Sequence, residues 1–259
     1  MYRSDTLIHQ MPRKRYPTVY VNRIGGLGNQ LFQFATAYAA DPDGYAISTM
    51  TNMGLGCNAI ARGSYNDTIF AHVHREDAPA WVPVYNEPVF AYSPLPTSRP
   101  VCLNGYFQTA KYFHGHRGAI LDIIWGDRDR TIAQGVTAVH VRRGDYVGLQ
   151  HIHPVQGMKY YEDSYITGTR HVIFTDDPDW CRANFPSDRY EVREPGNDVE
   201  DLFDMARCEN IITANSSYSW WAAYLGDHTR VIMPKQWFGS AYTGGRWDDV
   251  YWGFIKVVK

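Results

Sequence analysis

The second half of the chain alternates between strand-like and helix-like segments, and this alternation restricts the fold more than any other feature. "VTAVHV" (136–141), "RHVIFTDD" (170–177), "IITAN" (211–215) and "RVIMP" (230–234) are short apolar runs of strand type. Between them, "MKYYEDSYI" (158–166), "VEDLFDMARCEN" (199–210) and "SSYSWWAAYLG" (216–226) read as helices, the last capped by serine at its start and glycine at its end. Such alternation gives a mainly parallel sheet covered by helices. The first half shows the pattern once: "TVYVNRI" (18–24) is a strand, "GGLG" (25–28) a turn, and "NQLFQFATAYAA" (29–40) a helix with Leu31, Phe34, Ala35 and Tyr38 on one stripe. Residues 41–100 hold many Pro, Asn and Gly, so loops and minor elements are expected there. "VCLNGYFQTAKYF" (101–113) reads as a strand, a turn and a helix start. A boundary is expected near 114–135, giving a flexible tail at 1–16, an N-terminal domain at 17–133 and a C-terminal domain at 134–259.

Composition narrows the function. With 44% hydrophobic and 15% aromatic residues, a sizeable core is expected. A net charge of −2 argues against broad nucleic-acid or anionic-membrane binding. The four cysteines (Cys57, Cys102, Cys181, Cys208) include no CxxC pair, so structural thiols in a reducing compartment are expected. No apolar run approaches the ~20 residues that span a bilayer, and "MYRSDTLIHQMPRKRYP" has no continuous apolar core of signal-peptide type. A soluble cytoplasmic protein is expected.

In open parallel α/β sheets, ligands bind beyond the carboxyl ends of the strands. Three strands of the second half end in polar clusters there: Arg142, Arg143 and Asp145; Thr175, Asp176 and Asp177; and Asn215, Ser216 and Ser217. If these strands are neighbours, the clusters share one crevice. Ser216 and Ser217 open a helix, where backbone N–H groups and the helix dipole favour an anion. Arginine adds a planar fork that matches phosphate oxygens and keeps its charge. Asp176, Asp177 and Asp201 suit a base edge or ribose hydroxyls, so the donor-binding group points to a nucleotide-activated substrate. Strand alternation puts His140 and Arg142 on one side and Arg143 on the other. Arg142 is therefore assigned to the phosphates, while Arg143, kept in the donor-binding group, turns toward the protein body. Trp220 and Trp221 are expected in the core.

Other motifs are uninformative. "GGLGNQL" resembles a dinucleotide-binding turn, but Leu31 replaces the last glycine of G-x-G-x-x-G. DxD, a metal–nucleotide signature, occurs three times, at Asp41–Asp43, Asp127–Asp129 and Asp177–Asp179, too often in one chain to be diagnostic. "RGD" at 143–145 abuts a core strand, which speaks against adhesion, and no G-x-S-x-G of a serine hydrolase occurs.

"GGLGNQLFQ" (25–33), "GYFQTAKYF" (105–113), "HVRRGDYV" (140–147), "FTDDPDWC" (174–181) and "EDLFDMARCENIITANSSYSWWAAYL" (200–225) together resemble, in order, the motifs of the α-1,2-fucosyltransferases of glycosyltransferase family 11. The resemblance implies an α/β, GT-B-like fold, with two facing Rossmann-type domains and mainly parallel sheets. It implies inverting transfer of L-fucose from GDP-β-L-fucose to a galactose-containing oligosaccharide or glycoconjugate, with O2 of a terminal galactose as the expected position. GDP-fucose is then a substrate; no cofactor and no metal are expected, and neither is a nucleic-acid partner or a membrane span. By motif, Arg142 corresponds to the donor-phosphate arginine, His140 and Asp201 to guanine-side contacts, and Ser216 and Ser217 to phosphate ligands. Asn29 and Gln30 would face the cleft on the acceptor side. Some distantly similar fucosyltransferases place a glutamate base shortly after the HxRR segment, where this chain has Gln150, His151 and His153. Asp145 and His153 are the candidate bases, joining Arg142 in the catalytic group. Another GDP-sugar, another linkage, or a non-catalytic nucleotide- or glycan-binding module are the alternatives. The compact chain fits a microbial or viral enzyme.

Overall fold

The computed structural model describes residues 16–52, 65–194, 196–253 and 257–258. The N-terminal tail up to residue 15 and Cys57 lie outside these residues. Two parallel sheets draw on separate stretches of the chain. The first has the order β2-β1-β4-β3, with β1 at Val19–Ile24, β2 at Tyr45–Asn52, β3 at Val84–Asn86 and β4 at Val101–Asn104. The second has the order β10-β9-β8-β5-β6-β7, with β5 at Ala133–Val141, β6 at Arg170–Thr175, β7 at Tyr190–Val192, β8 at Cys208–Ile212, β9 at Arg230–Met233 and β10 at Val257–Val258. Every strand pairing is parallel. The fold is α/β, with two parallel-sheet halves facing across a cleft, the arrangement expected of a GT-B-like enzyme. Among the described residues, no helix is long and apolar enough to cross a membrane.

Helix α1 (Leu27–Ala40) follows β1, and α6 (Ser217–Leu225) follows β8. The two helices join the halves. Phe32 of α1 lies 4.3 Å from the Trp220 ring and 5.3 Å from Trp221, and Phe113 stacks on Trp221 at 5.5 Å. All four rings are buried, and one apolar core runs through both halves. The two tryptophans thus pack as expected of core residues.

One expectation needs correction and two others gain detail. Residues 41–100 contain β2, which pairs with β1 through Val19↔Tyr45, Tyr20↔Ala46 and Val21↔Ile47. It is an edge strand, and its "STMTN" segment lacks the apolar signature of a strand buried on both faces. The expected boundary at 114–135 contains helix α2 (Arg117–Trp125), whose Ile120, Ile124 and Trp125 are buried. Trp125 donates its indole N–H to Leu225 O and packs 4.7 Å from Phe203, so this helix belongs to the packing of the second half. The helix expected at 199–210 is α5 (Asp198–Ala206), and β8 begins at Cys208. Pairing of Cys208 and Asn210 with β5 draws those residues into the sheet despite their place at the end of an amphipathic pattern. Two further helices, α3 (Met158–Asp163) and α4 (Pro178–Asn184), flank β6. The three described cysteines, Cys102, Cys181 and Cys208, are buried thiols.

Candidate active site

Strands β8, β5 and β6 are adjacent, so the polar residues following each come together. They form one side of a cleft of about 720 Å³. The other side follows the carboxyl ends of first-sheet strands: the glycine turn after β1, Glu87 to Phe90 after β3, and Tyr106 and Gln108 after β4. Both sheets therefore present their carboxyl edges to one space, where an α/β fold binds ligand.

Arg142 lines this cleft between two carboxylates, its Nη2 2.5 Å from Asp145 and its Nη1 2.6 Å from Asp176. Asp176 also accepts the Arg143 backbone N–H at 2.9 Å. Gly144 makes this close packing possible, because a Cβ there would stand 2.5 Å from the Asp176 carboxylate. The glycine of "RGD" thus has a local structural reason. Two of the five guanidinium N–H groups point to Asp145 and Asp176. The pair fixes the fork without using all of its donors.

His140 lines the cleft two residues before Arg142, as strand alternation requires. Its ring is buried, and its Nδ1 has no hydrogen-bond partner. Burial, reinforced by the Arg142 charge, holds its pKa down at about 3, so the ring is neutral near pH 7. His153 stacks on Tyr146 at 4.7 Å, and burial pushes its pKa below the ordinary histidine value.

Helix α6 begins on the cleft wall, where Ser216, Ser217 and Tyr218 all face the space. Ser216 is the cap, its hydroxyl accepting from Tyr218 N at 3.3 Å. Ser217 is the first helical residue. Asn215 lines the wall too, but its side chain is engaged, donating to Trp237 O at 3.0 Å and accepting from Gln156 at 3.0 Å. Asn29 faces the cleft, with its Oδ1 accepting from Gln108 at 2.8 Å.

Each carboxylate of the wall has a protein partner. Asp201 accepts from Gly196 N and sits 3.2 Å from an Arg193 nitrogen. Asp198 accepts the Tyr65 hydroxyl at 2.5 Å, a contact between the two halves. Glu87 accepts from the backbone N–H groups of Tyr106 at 2.7 Å and Phe107 at 3.0 Å. Burial raises the Glu87 pKa, and those two hydrogen bonds oppose the rise.

Three expected site residues lie off the cleft wall. Arg143 turns toward the protein body, where its Nε donates to Asp177 at 2.9 Å and its guanidinium lies 3.8 Å over the Trp180 ring. Asp177 is the N-cap of α4, accepting from Trp180 N, so helix capping and the Arg143 pair occupy it instead of a donor. Gln30 is buried and donates to Gly25 O at 2.9 Å, which braces the glycine turn from behind. None of the three DxD pairs lines the cleft. Glu87, Asp198, Tyr65 and Gln108 were missed from the sequence. Gln108 lies within the "GYFQTAKYF" motif with no role read for it, and no motif marks Glu87, Asp198 or Tyr65, which the chain's folding brings to the wall.

A model of Glycosyl transferase family 11 matches residues 4–252. The O-antigen biosynthesis glycosyltransferase WbnK of Escherichia coli is 27% identical over 83% of this chain and 93% of its own length. An alpha-1,2-colitosyltransferase of Escherichia coli is 28% identical over 52% of this chain and 55% of its own. Galactoside alpha-(1,2)-fucosyltransferase 2 of Oryctolagus cuniculus is 27% identical over 87% of this chain and 71% of its own. The family match spans the first sheet, all of the second but β10, and every residue of the cleft wall, from Gly25 to Gly244, and on that span the chain belongs to glycosyl transferase family 11.

Proposed function

We propose that this chain is an inverting fucosyltransferase that moves L-fucose from GDP-β-L-fucose to a glycan hydroxyl, O2 of a terminal galactose being the position to test first. The observation that carries this reading is the placement of Arg142. A guanidinium fixed by two carboxylates stands in the same cleft as the N-terminus of α6, at the carboxyl ends of three adjacent strands. That combination suits a diphosphate. The unpartnered Nδ1 of His140 suits a polar atom of the nucleotide. The cleft volume of about 720 Å³ accommodates a nucleotide sugar with part of an acceptor. Similarity to a galactoside alpha-(1,2)-fucosyltransferase supports the sugar and the linkage.

In this mechanism the C1–O bond to GDP lengthens through an oxocarbenium-like transition state. Negative charge grows on the departing diphosphate. Arg142 and the first turn of α6 meet it, and preorganised electrostatics of this kind is usually the largest catalytic contribution. The acceptor hydroxyl attacks from the opposite face and gives up its proton. Asp145 is held by Arg142, so we assign it the role of orienting the arginine. His153 is the better base: burial and the Arg142 and His151 charges lower its pKa and keep the ring neutral and able to accept a proton near pH 7, while the Asp145 charge partly offsets them once the imidazolium forms.

Similarity to the alpha-1,2-colitosyltransferase favours a second reading, transfer of a different GDP-activated sugar by the same chemistry. A screen of several GDP-sugars against galactose-ended acceptors, with product linkage read by NMR, decides. An α-1,2-fucoside formed from GDP-fucose supports the first reading. Turnover confined to another donor supports the second.

A further inference from the structure

One stretch of the cleft wall has no part in the chemistry above. The rings of Phe238 and Tyr242 are parallel, 3.9 Å apart, and Phe90 stands edge-on to them at 4.9 and 6.0 Å. Phe90 comes from the first half and the other two from the second. The Phe90 N–H donates to Gly244 O at 3.2 Å and locks the segments together. The aromatic run continues from Phe238 to His153 at 5.7 Å, from His153 to Tyr146 at 4.7 Å, and ends where the Arg142 guanidinium lies 5.2 Å over Tyr146. A continuous wall of rings thus leads from the arginine to the aromatic cluster.

Glu87 stands beside that cluster. Its carboxylate is fixed by the Tyr106 and Phe107 amides, and its charge reaches the Tyr242 phenol. Phe107 adopts φ 53°, uncommon for a residue with a side chain, and this turn aims the two N–H groups at the carboxylate. Gly105 gives the carboxylate room, since a Cβ there would stand 2.4 Å from the Glu87 Cβ. At the mouth of this region Val89 and Tyr106 are 44% and 40% exposed. Mutually packed, partly buried rings, a fixed carboxylate and an apolar rim form a built surface that the GDP-binding groups do not require.

A pyranoside carries C–H bonds on one face and hydroxyls around its edge. The face packs on aromatic rings, and a carboxylate accepts from neighbouring hydroxyls through charge-assisted bonds. We propose that Glu87, Phe90 and Tyr242 form the acceptor subsite, taking the terminal neutral pyranoside of a glycan and excluding acidic sugars by charge. This rests on the glycosyl-transfer reading above. The ring wall then runs from the acceptor sugar past His153 to the diphosphate arginine, so that the base lies beside the acceptor and the leaving group at the far end. Longer acceptors would run out over Val89 and Tyr106.

The test is steady-state kinetics of Glu87→Gln, Phe90→Leu and Tyr242→Leu against the wild type, with a neutral galactoside and a uronoside as acceptors. GDP affinity is measured by calorimetry. Loss of a hydrogen bond to a charged group should raise the acceptor KM about 10- to 100-fold in Glu87→Gln, with GDP affinity and donor KM unchanged. Discrimination against the uronoside should narrow in the same variant, which a merely structural role would not produce. Phe90→Leu and Tyr242→Leu should also raise the acceptor KM. If losing the 105–107 clamp unfolds Glu87→Gln, these two variants decide. An acceptor KM within twofold of wild type in the folded variants, or a matching fall in GDP affinity, overturns the subsite alone. A wild-type chain that consumes no GDP-sugar overturns the functional reading beneath it.

Discussion

Gly28 and Ser217 approach so closely that a Cβ at Gly28 would stand 2.4 Å from the Ser217 carbonyl carbon and 2.5 Å from Tyr218 N. The glycine turn of the first half therefore lies directly over the start of α6 in the second. Gly28→Ala must push backbone from backbone, and overpacking typically destabilises by ~1–3 kcal/mol, occasionally more. Gly26 is the control, because its φ is −74° and nothing lies within 4 Å of a Cβ there. Thermal melts should show Gly28→Ala destabilised and Gly26→Ala close to wild type, and GDP titrations should show the larger loss in Gly28→Ala. Equal behaviour of the two would mean that the halves do not meet through this glycine.

Ser216 and Ser217 should separate by assay. Ser216 carries the cap hydrogen bond, so Ser216→Ala should lose about 0.5–2 kcal/mol of stability. Ser217 faces the cleft without capping the helix, and Ser217→Ala should keep its melting temperature while donor KM rises. A Ser217→Ala enzyme with wild-type kinetics would remove the residue from the donor site.

Acid should destabilise the fold through His140. Its folded pKa of about 3 lies below the ordinary value of 6.5, so the unfolded chain binds the extra proton. Stability from this group is complete above pH 6.5 and is lost as the pH falls from there toward about 3. The slope is roughly 1.4 kcal/mol per pH unit for one proton. Urea melts of wild type and His140→Gln between pH 7 and 5 should show the shallower loss in the variant. Parallel losses would mean that the ring is not held neutral in the fold.

Turnover is expected to survive chelation, since Arg142 and the start of α6 supply the charge that the departing diphosphate needs. Rates with and without EDTA should agree. A rate abolished by EDTA and restored by manganese would assign that work to a metal ion.

Sequence patterns revealed the second half better than the first. β5, β6, β8 and β9 lie in the six-stranded sheet, and burial leaves apolar runs such as "TAVHV" and "HVIF". β2 is an edge strand ending in polar residues, so its sequence reads as loop. Alternation also separated the two arginines, sending Arg142 to the cleft and Arg143 to Asp177 and Trp180. The first-half wall of the cleft was less legible. Gln30 sits in a motif, but helix geometry turns it inward to brace Gly25. Glu87 sits in a proline-rich stretch with no periodic signal, and only the turn at 105–107 reveals what holds its carboxylate.

The most direct test of the account is the comparison of Arg142→Ala, Arg142→Lys and Arg143→Ala by GDP calorimetry, kcat and melting temperature. Arg142→Ala should lose roughly 10²–10³ in kcat, as expected for one transition-state donor, and should bind GDP more weakly. Arg142→Lys should recover little, because an ammonium cannot reproduce the planar fork. Arg143→Ala should mainly lose stability, since its guanidinium packs on Trp180 and pairs with Asp177. A nearly active Arg142→Ala, or an Arg143→Ala that is folded but dead, would contradict the assignment of the diphosphate to Arg142.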